Sequence, residues 1–324
     1  MKSQRAHYLL LLFVFSCFST VDASAQGYPI RPVRWIIGYP PGGASDLLVR
    51  VVAQQLSDAW NQQVVVDNRP GAAGIIAAEM AAKAPADGYT LFLGDISTHS
   101  INQSLYRKLP YDPVKDFAPV TTLGVVPNIV VVSPGLALQS ISDLIKVAKA
   151  KPASLNYASG GNGTGTHLAT ELFKSLTSVQ MTHVPYKGTP PALIDLAAGA
   201  VQVMFAGAPP VLPFIKGGRL RAIAVTSSER FALLPGVPTV AETLPKYEAT
   251  TWYGVLLPRR APAAIVQQLN MAVRQALEVA EVKRRLSDQG FTVKGSTPNE
   301  FATFMAQEAQ KYATVIQTAG IRVD

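Results

Sequence analysis

The chain has 324 residues, of which 48% are hydrophobic and 15% charged, with a formal net charge of +8 and a single cysteine. The basic residues are scattered singly, with no run and no aromatic-interleaved patch, which argues against nucleic acid as a partner. One cysteine excludes an internal disulfide and any cysteine-built metal cluster.

The N-terminus carries Lys2 and Arg5, then an apolar run over 8–18, then Ala23-Ser24-Ala25 with small residues at the −3 and −1 cleavage positions. This layout predicts a signal peptide over 1–25, cut between Ala25 and Gln26. The run is shorter than the roughly 18 residues a membrane-spanning helix needs. Cys17 behind Val14-Phe15-Ser16 loosely resembles a lipidation site, but bulky Phe15 and the better downstream site favour cleavage. The mature chain, without Lys2, Arg5 and Asp22, carries +7 and no thiol. No later stretch is long and apolar enough to cross a bilayer, so the expected product is soluble and extracytoplasmic, in the periplasm.

Short apolar strands then alternate with amphipathic helices, the pattern of an α/β fold. A strand is predicted over 33–37. A helix follows over 44–60, with Leu47, Leu48, Val51, Val52 and Leu56 at helical spacing. Further strands are predicted over 63–66 and 89–94, around a helix over 74–83. After Leu109-Pro110-Tyr111-Asp112-Pro113 the pattern restarts. It gives strands over 129–133, 155–158, 181–184, 201–205 and 222–226, with helices over 141–150 and from 166. Two long helices, over 263–278 and 298–318, carry apolar stripes suited to packing back on the first sheet.

Each half contains a buried strand ending in a glycine-rich loop that opens a helix: residues 40–46 and 159–167. Helix starts present unpaired N–H groups and the positive end of the helix dipole, and glycine lets a ligand approach the backbone. Two such sites imply a cleft receptor whose halves close over a ligand bearing one or two carboxylates. The first loop, Gly38-Tyr39-Pro40-Pro41-Gly42-Gly43-Ala44-Ser45, approaches a P-loop, yet Ala44 stands where the phosphate-binding lysine belongs. The second lacks the G-x-G-x-x-G spacing, since Leu168 falls where the third glycine would be. Nucleotide binding is therefore not expected, and no cofactor is.

Catalytic readings are weaker. Ser159, His167 and Asp195 form a triad on paper, the basis of an alternative reading as a secreted hydrolase, but no G-x-S-x-G elbow positions the serine. His167 is expected to pack the helix start against the sheet. No tight His/Asp/Glu cluster suggests a metal. Asp46 either complements its helix dipole or receives a ligand amine or hydroxyl. Tyr39, at the mouth of the first loop, is a candidate wall residue.

The same residues carry a resemblance. Tyr28-Pro29, Pro40-Pro41-Gly42-Gly43 with Asp46, Asn68-Arg69-Pro70-Gly71, Asp87-Gly88-Tyr89-Thr90, Leu109-Pro110-Tyr111-Asp112-Pro113, and Tyr157-Ala158-Ser159-Gly160 through His167-Leu168 occur in order. His183-Val184-Pro185-Tyr186-Lys187-Gly188 and Val237-Pro238-Thr239 follow. The chain resembles the Bug-type (TctC-like) extracytoplasmic solute receptors of tripartite tricarboxylate transporters. The resemblance implies a two-lobe periplasmic binding protein of the Venus-flytrap, type II-like kind, with two mainly parallel or mixed sheets flanked by helices and two interlobe crossovers. Lobe one would be 26–124 plus 250–324, and lobe two 125–249. It further implies a small carboxylate held by Gly42, Gly43, Ala44 and Ser45 on one lobe and by Ser159, Gly163, Thr164, Gly165 and Thr166 on the other. Further walls would come from Asp95, Ser97, Thr98, Tyr186, Ala206 and Gly207. Family members often carry Phe at Tyr39, whose hydroxyl here adds a polar contact. The implied partners are the membrane permease subunits of such a transporter, or alternatively a sensor kinase.

Overall fold

The structure is a computed structural model and describes residues 27–321. The signal peptide expected over 1–25, its cut before Gln26, and Cys17 lie outside the described residues. In chain order the first elements are β1 (Val33–Ile37), α1 (Ala44–Trp60), β2 (Val64–Asn68), α2 (Ile75–Ala82), β3 (Thr90–Asp95) and β4 (Phe117–Val132). Then come α3 (Ile141–Ala150), β5 (Asn156–Ser159), α4 (Gly165–Thr177), β6 (Thr182–Pro185), α5 (Thr189–Ala198), β7 (Val203–Gly207), α6 (Ala208–Lys216) and β8 (Arg221–Val225). The chain ends with β9 (Thr250–Pro258), α7 (Ala263–Glu278), α8 (Ala280–Asp288), β10 (Thr292–Val293) and α9 (Pro298–Ala319).

Two lobes form around two sheets that share β4. In the first, β1 lies between β2 and β3, all parallel, and β9 joins β3 antiparallel with β4 beyond it. In the second, β5 lies between β6 and β7, all parallel, and β4 runs antiparallel to β7 and to β8. The parallel strands read as continuous apolar runs because helices cover both their faces. Of β1, only Arg34 escapes full burial. In the first lobe Leu48, Val52 and Leu56 of α1 and Val266, Leu269 and Val273 of α7 pack on one face. Phe301, Tyr312 and Ile316 of α9 pack on the other. The two late helices therefore return to the first sheet, as their stripes predict.

β4 is the longest strand, 16 residues, or about 50 Å at the usual rise of a strand. Through Pro127 it pairs with β9, and from Asn128 onward with β7. At this change of partner the backbone N–H of Asn128 donates to Thr226 Oγ1 (2.8 Å), and Thr226 N–H donates to the Asn128 carbonyl (2.9 Å). The returning strand joins the same knot, with Ala249 N–H donating to the Thr226 carbonyl at 3.0 Å. Both passages between lobes are thereby tied at one level. Gly124 sits where β10 crosses: a Cβ there would stand 2.6 Å from the Thr292 carbonyl oxygen.

Sequence periodicity predicts only the apolar end of β4, over 129–133, because Pro119, Thr121, Thr122 and Pro127 interrupt the run upstream. It also leaves β9 and α8 unassigned. β9 mixes Thr, Gly and aromatic residues, and α8 offers just Val282 and Leu286 as buried apolar positions.

Candidate ligand-binding cleft

The first glycine-rich loop leads from β1 into α1. Gly43 is the N-cap, in extended conformation (φ −79°, ψ 169°), and no side chain caps the helix. Gly42 takes φ +80°, which glycine adopts without strain. Asp46 holds the turn from inside the helix. Its Oδ2 accepts from Gly42 N–H (2.9 Å), and its Oδ1 accepts from Arg50 Nε (2.9 Å) and Asn68 Nδ2 (3.1 Å). Burial works against its charge, but Arg50, Gly42 and Asn68 together keep the carboxyl below its ordinary range. The carboxylate is engaged by the loop and by Arg50, in the first turn of the helix whose dipole it complements.

The second loop leads from β5 into α4 and is knitted by its own hydroxyls. Thr164 Oγ1 donates to the Gly161 carbonyl (2.7 Å) and accepts from His167 N–H (3.4 Å). Thr166 Oγ1 accepts from Gly160 N–H at 3.0 Å. Ser159 Oγ accepts from Gly161 N–H (3.1 Å) and lies 2.6 Å from His183 Nε2. His167 Nδ1 accepts from Gly163 N–H at 3.3 Å. Its ring stacks on His183 at a centroid distance of 4.2 Å, and His183 stacks on Tyr157 at 4.7 Å. Burial lowers both histidines to about 4. His167 thus packs between the Gly163 backbone and the His183 ring.

The two loops open on one cavity of about 60 Å³ between the lobes. From the first lobe Tyr39, Gly43, Ala44, Ser45, Asp95 and Ser97 line it; from the second, Thr164, Gly165, Thr166 and Gly207 do. The lobes touch around it. A Cβ on Gly207 would lie 3.9 Å from Ala44 Cβ, and one on Gly188 would lie 2.3 Å from Pro40 Cγ. A larger outer cavity, about 660 Å³, shares Tyr39, Pro40, Gly160, Thr164 and Gly188 with the inner one.

The other expected residues lie off the inner wall. Gly42 and Asp46 bond to each other, and Thr98 sits behind Asp95, its N–H and Oγ1 both 2.9 Å from Asp95 Oδ1. Ser159, Gly163 and His167 form the back of the second loop, and Ala206 is wholly buried in β7. Tyr186 lines the outer cavity and donates its hydroxyl to Asp195 Oδ2 at 2.7 Å. The triad drawn on paper is thus not assembled: Ser159, 0% exposed, meets His183 instead of His167, and Asp195 is engaged by Tyr186.

Sequence reading missed several wall residues. Gly188, Thr189 and Pro190 form a third strand-to-helix loop, between β6 and α5, legible as Gly-Thr-Pro-Pro ahead of an apolar helix. Asn128, Thr251 and Tyr253 sit on the crossing strands, where no local pattern marks them. Tyr253 is the cross-strand partner of Asp95.

Among the described residues lining the cavity, the one formally charged side chain is Asp95, 2% exposed; behind it His99 Nδ1 lies 2.9 Å from the Thr98 Oγ1 that bonds its carboxyl. Burial raises the Asp95 carboxyl above its ordinary value, against the pull of the Tyr39 hydroxyl and of the Thr98 and Ser97 donors. The Tyr39 hydroxyl is shielded from solvent and sits beside Asp95 and Ser97. No group of three metal-capable side chains occurs among the described residues.

Two α/β lobes, crossed by two strands and meeting over a cavity at paired helix starts, define a cleft receptor of the periplasmic binding protein class. The chain belongs to the TctC family, the tripartite tricarboxylate transporter family receptors, whose family model matches residues 48–321. It is 37% identical to Protein BugT of Bordetella pertussis, over 100% of both chains. Among solved structures it is similar to Rpa4515 of R. palustris with adipate, at 38% identity and TM-score 0.89, covering 91% of this chain and 99% of that one. It is also similar to MatC (Rpa3494) of Rhodopseudomonas palustris with bound malate, at 31% identity and TM-score 0.85, covering 89% and 100%.

Proposed function

We propose that this chain is a periplasmic receptor that captures a small organic carboxylate between its lobes and delivers it to the membrane permease of a tripartite transporter. The carrying observation is that helix starts from different lobes, at Gly43–Ser45 and Gly165–Thr166, line one cavity. A carboxylate there takes charge-assisted bonds from backbone N–H groups and the favourable ends of two helix dipoles. Each such bond is worth about 1.5–3 kcal/mol net, so three or four reach the roughly 8 kcal/mol of a micromolar complex. Adipate and malate in two relatives support this ligand class.

The ligand bridges the lobes and so favours the closed state, which the permease reads; the cycle is binding and release, with no bond made or broken. In this reading the lobes are 26–124 with 250–324, and 125–249, and the change of β4's partner between Pro127 and Asn128 supports a crossing in that region. Export and cleavage at Ala25/Gln26 put the mature chain in the periplasm.

A thermal-shift screen of the mature chain against a carboxylate library tests the reading. A ligand at one hundred times its Kd adds about 2.7 kcal/mol, raising Tm by about 4 °C for a chain of this size. If no carboxylate shifts Tm, the reading is wrong. Loss of uptake of the identified ligand in a deletion strain tests delivery.

A further inference from the structure

Away from the cleft, a further cavity of about 510 Å³ opens on the first lobe, between α9 and the stretch over 113–119 that leads into β4. It shares no wall residue with the two cleft cavities, and among the described residues no charged side chain lines it. One wall is the face of α9 that carries Ala302, Met305 and Ala306; Val114 and Phe117 stand opposite. Val114, at 73%, is the most exposed large apolar side chain among the described residues. The cavity also reaches His99, which is 3% exposed and packs edge-on against Phe117 at a centroid distance of 4.8 Å.

Burial lowers the His99 ring to about 3, so it is neutral and carries one N–H. Which nitrogen holds that hydrogen follows from the bonds around Thr98. Thr98 Oγ1 lies 2.9 Å from Asp95 Oδ1 and 2.9 Å from His99 Nδ1, yet a hydroxyl has one hydrogen to give. Asp95 Oδ1 already accepts from Thr98 N–H at 2.9 Å, so it is an acceptor and takes the hydroxyl hydrogen as well. Thr98 Oγ1 then accepts from His99 Nδ1–H. The opposite tautomer would press two oxygen lone pairs together at 2.9 Å. His99 Nε2 is left as a bare acceptor, shielded from solvent and without a hydrogen-bond partner among the described residues. Buried polar atoms in that condition are rare and destabilising, and this one belongs to a cavity wall.

We propose that this cavity is a second binding site, taking a small uncharged molecule with an apolar or aromatic body and one hydroxyl group, which donates to His99 Nε2. Walls without charge disfavour an ion, which would lose its hydration and gain no partner. The volume falls in the range of about 300–1,000 Å³ usual for small-molecule sites, as does the composition, apolar walls around a few fixed polar atoms. Alanines on α9 leave room for the body of the molecule beside Phe117. Met305, unbranched and with three rotatable bonds, is the wall residue able to turn aside and uncover Nε2. The site is separate from the carboxylate cleft and does not depend on it.

The test is NMR of the mature chain with ¹³C-methyl methionine, the Met305 signal being assigned by its loss in Met305→Leu. The probes are p-cresol, 2-naphthol and cyclohexanol, each beside the match in which fluorine replaces the hydroxyl, and benzylammonium as the charged control. The expected result is that at least one hydroxyl probe moves the Met305 signal saturably, with a Kd at least fivefold below those of its fluorinated match and of benzylammonium. Ala306→Phe, at an exposed position, should fill the groove and raise that Kd at least tenfold. His99→Phe keeps a ring and removes Nε2, and should bring the hydroxyl and fluorinated probes within twofold of each other. The inference is overturned if no hydroxyl probe moves the signal, if the fluorinated or charged probes bind as tightly, or if Ala306→Phe binds like the wild type. A folded His99→Phe that keeps the fivefold preference overturns it as well. Ala306→Phe and the matched probes decide the matter even where the buried variant does not fold.

Discussion

Replacing Gly43 with valine separates the binding role of the first loop from its structural role. Gly43 has extended backbone that any residue adopts, and a Cβ there meets only the Pro40 carbonyl oxygen, at 3.6 Å. The folded chain therefore tolerates the substitution. The main loss is a poorer helix cap, about 1 kcal/mol, which lowers Tm by about 1.6 °C. Binding is affected far more. The new side chain stands on the wall of a cavity of about 60 Å³ and keeps a carboxylate from the adjoining amides. Losing two charge-assisted bonds costs about 3–6 kcal/mol, a rise in Kd of about 10²- to 10⁴-fold. Calorimetry with the ligand found in the thermal-shift screen, alongside a melting curve, measures both quantities. A Gly43→Val protein that melts near the wild type and binds within threefold of it would refute the site assignment.

Other substitutions should divide along the same geometry. From sequence alone Gly163→Val would be expected to act like Gly43→Val. But Gly163 has φ +76°, and a Cβ there lies 3.2 Å from Leu105 Cδ2 and the Tyr106 hydroxyl, so melting should show a stability loss of about 2 kcal/mol or more. Gly188→Ala places a methyl 2.3 Å from Pro40 Cγ across the cleft at φ +105°. Its ligand-saturated form should scatter X-rays as a more open particle than liganded wild type, with Kd weakened at least tenfold. Asp46→Ala removes the acceptor for Gly42, Asn68 and the half-exposed Arg50, and should lower stability by about 1–2 kcal/mol while weakening binding less than tenfold.

Acid should act through the stacked histidines. His167 falls from the ordinary 6.5 to about 4 because burial disfavours its cation, so between those values the unfolded chain binds the proton and the folded chain does not. Stability is full above pH 6.5 and declines toward pH 4, by about 3 kcal/mol for His167. Urea titrations of wild type and His167→Gln across that range should show a shallower decline in the variant.

The strand–loop–helix units at residues 33–60 and 155–177 were legible because each depends on residues within a few turns of one another. An apolar run ends, glycines permit the bend, and Asp46 or Thr164 holds the turn. The unpaired N–H groups at both helix starts follow from that local chemistry alone, as does the return of α7 and α9 to the first sheet, which their apolar stripes require. Which polar groups face the ligand is decided otherwise. Asp46, adjacent to a loop, turns inward to Gly42 and Arg50, while Asp95 and Asn128, far apart in sequence, meet at the cavity because β3, β9 and β4 lie side by side. Ser159 pairs with His183 instead of His167 because β5 and β6 are neighbours. Short-range patterns encode where the backbone bends. The cleft arises where segments more than a hundred residues apart are brought together by strand pairing, and no local signal records which side chains that pairing will turn toward the same small space.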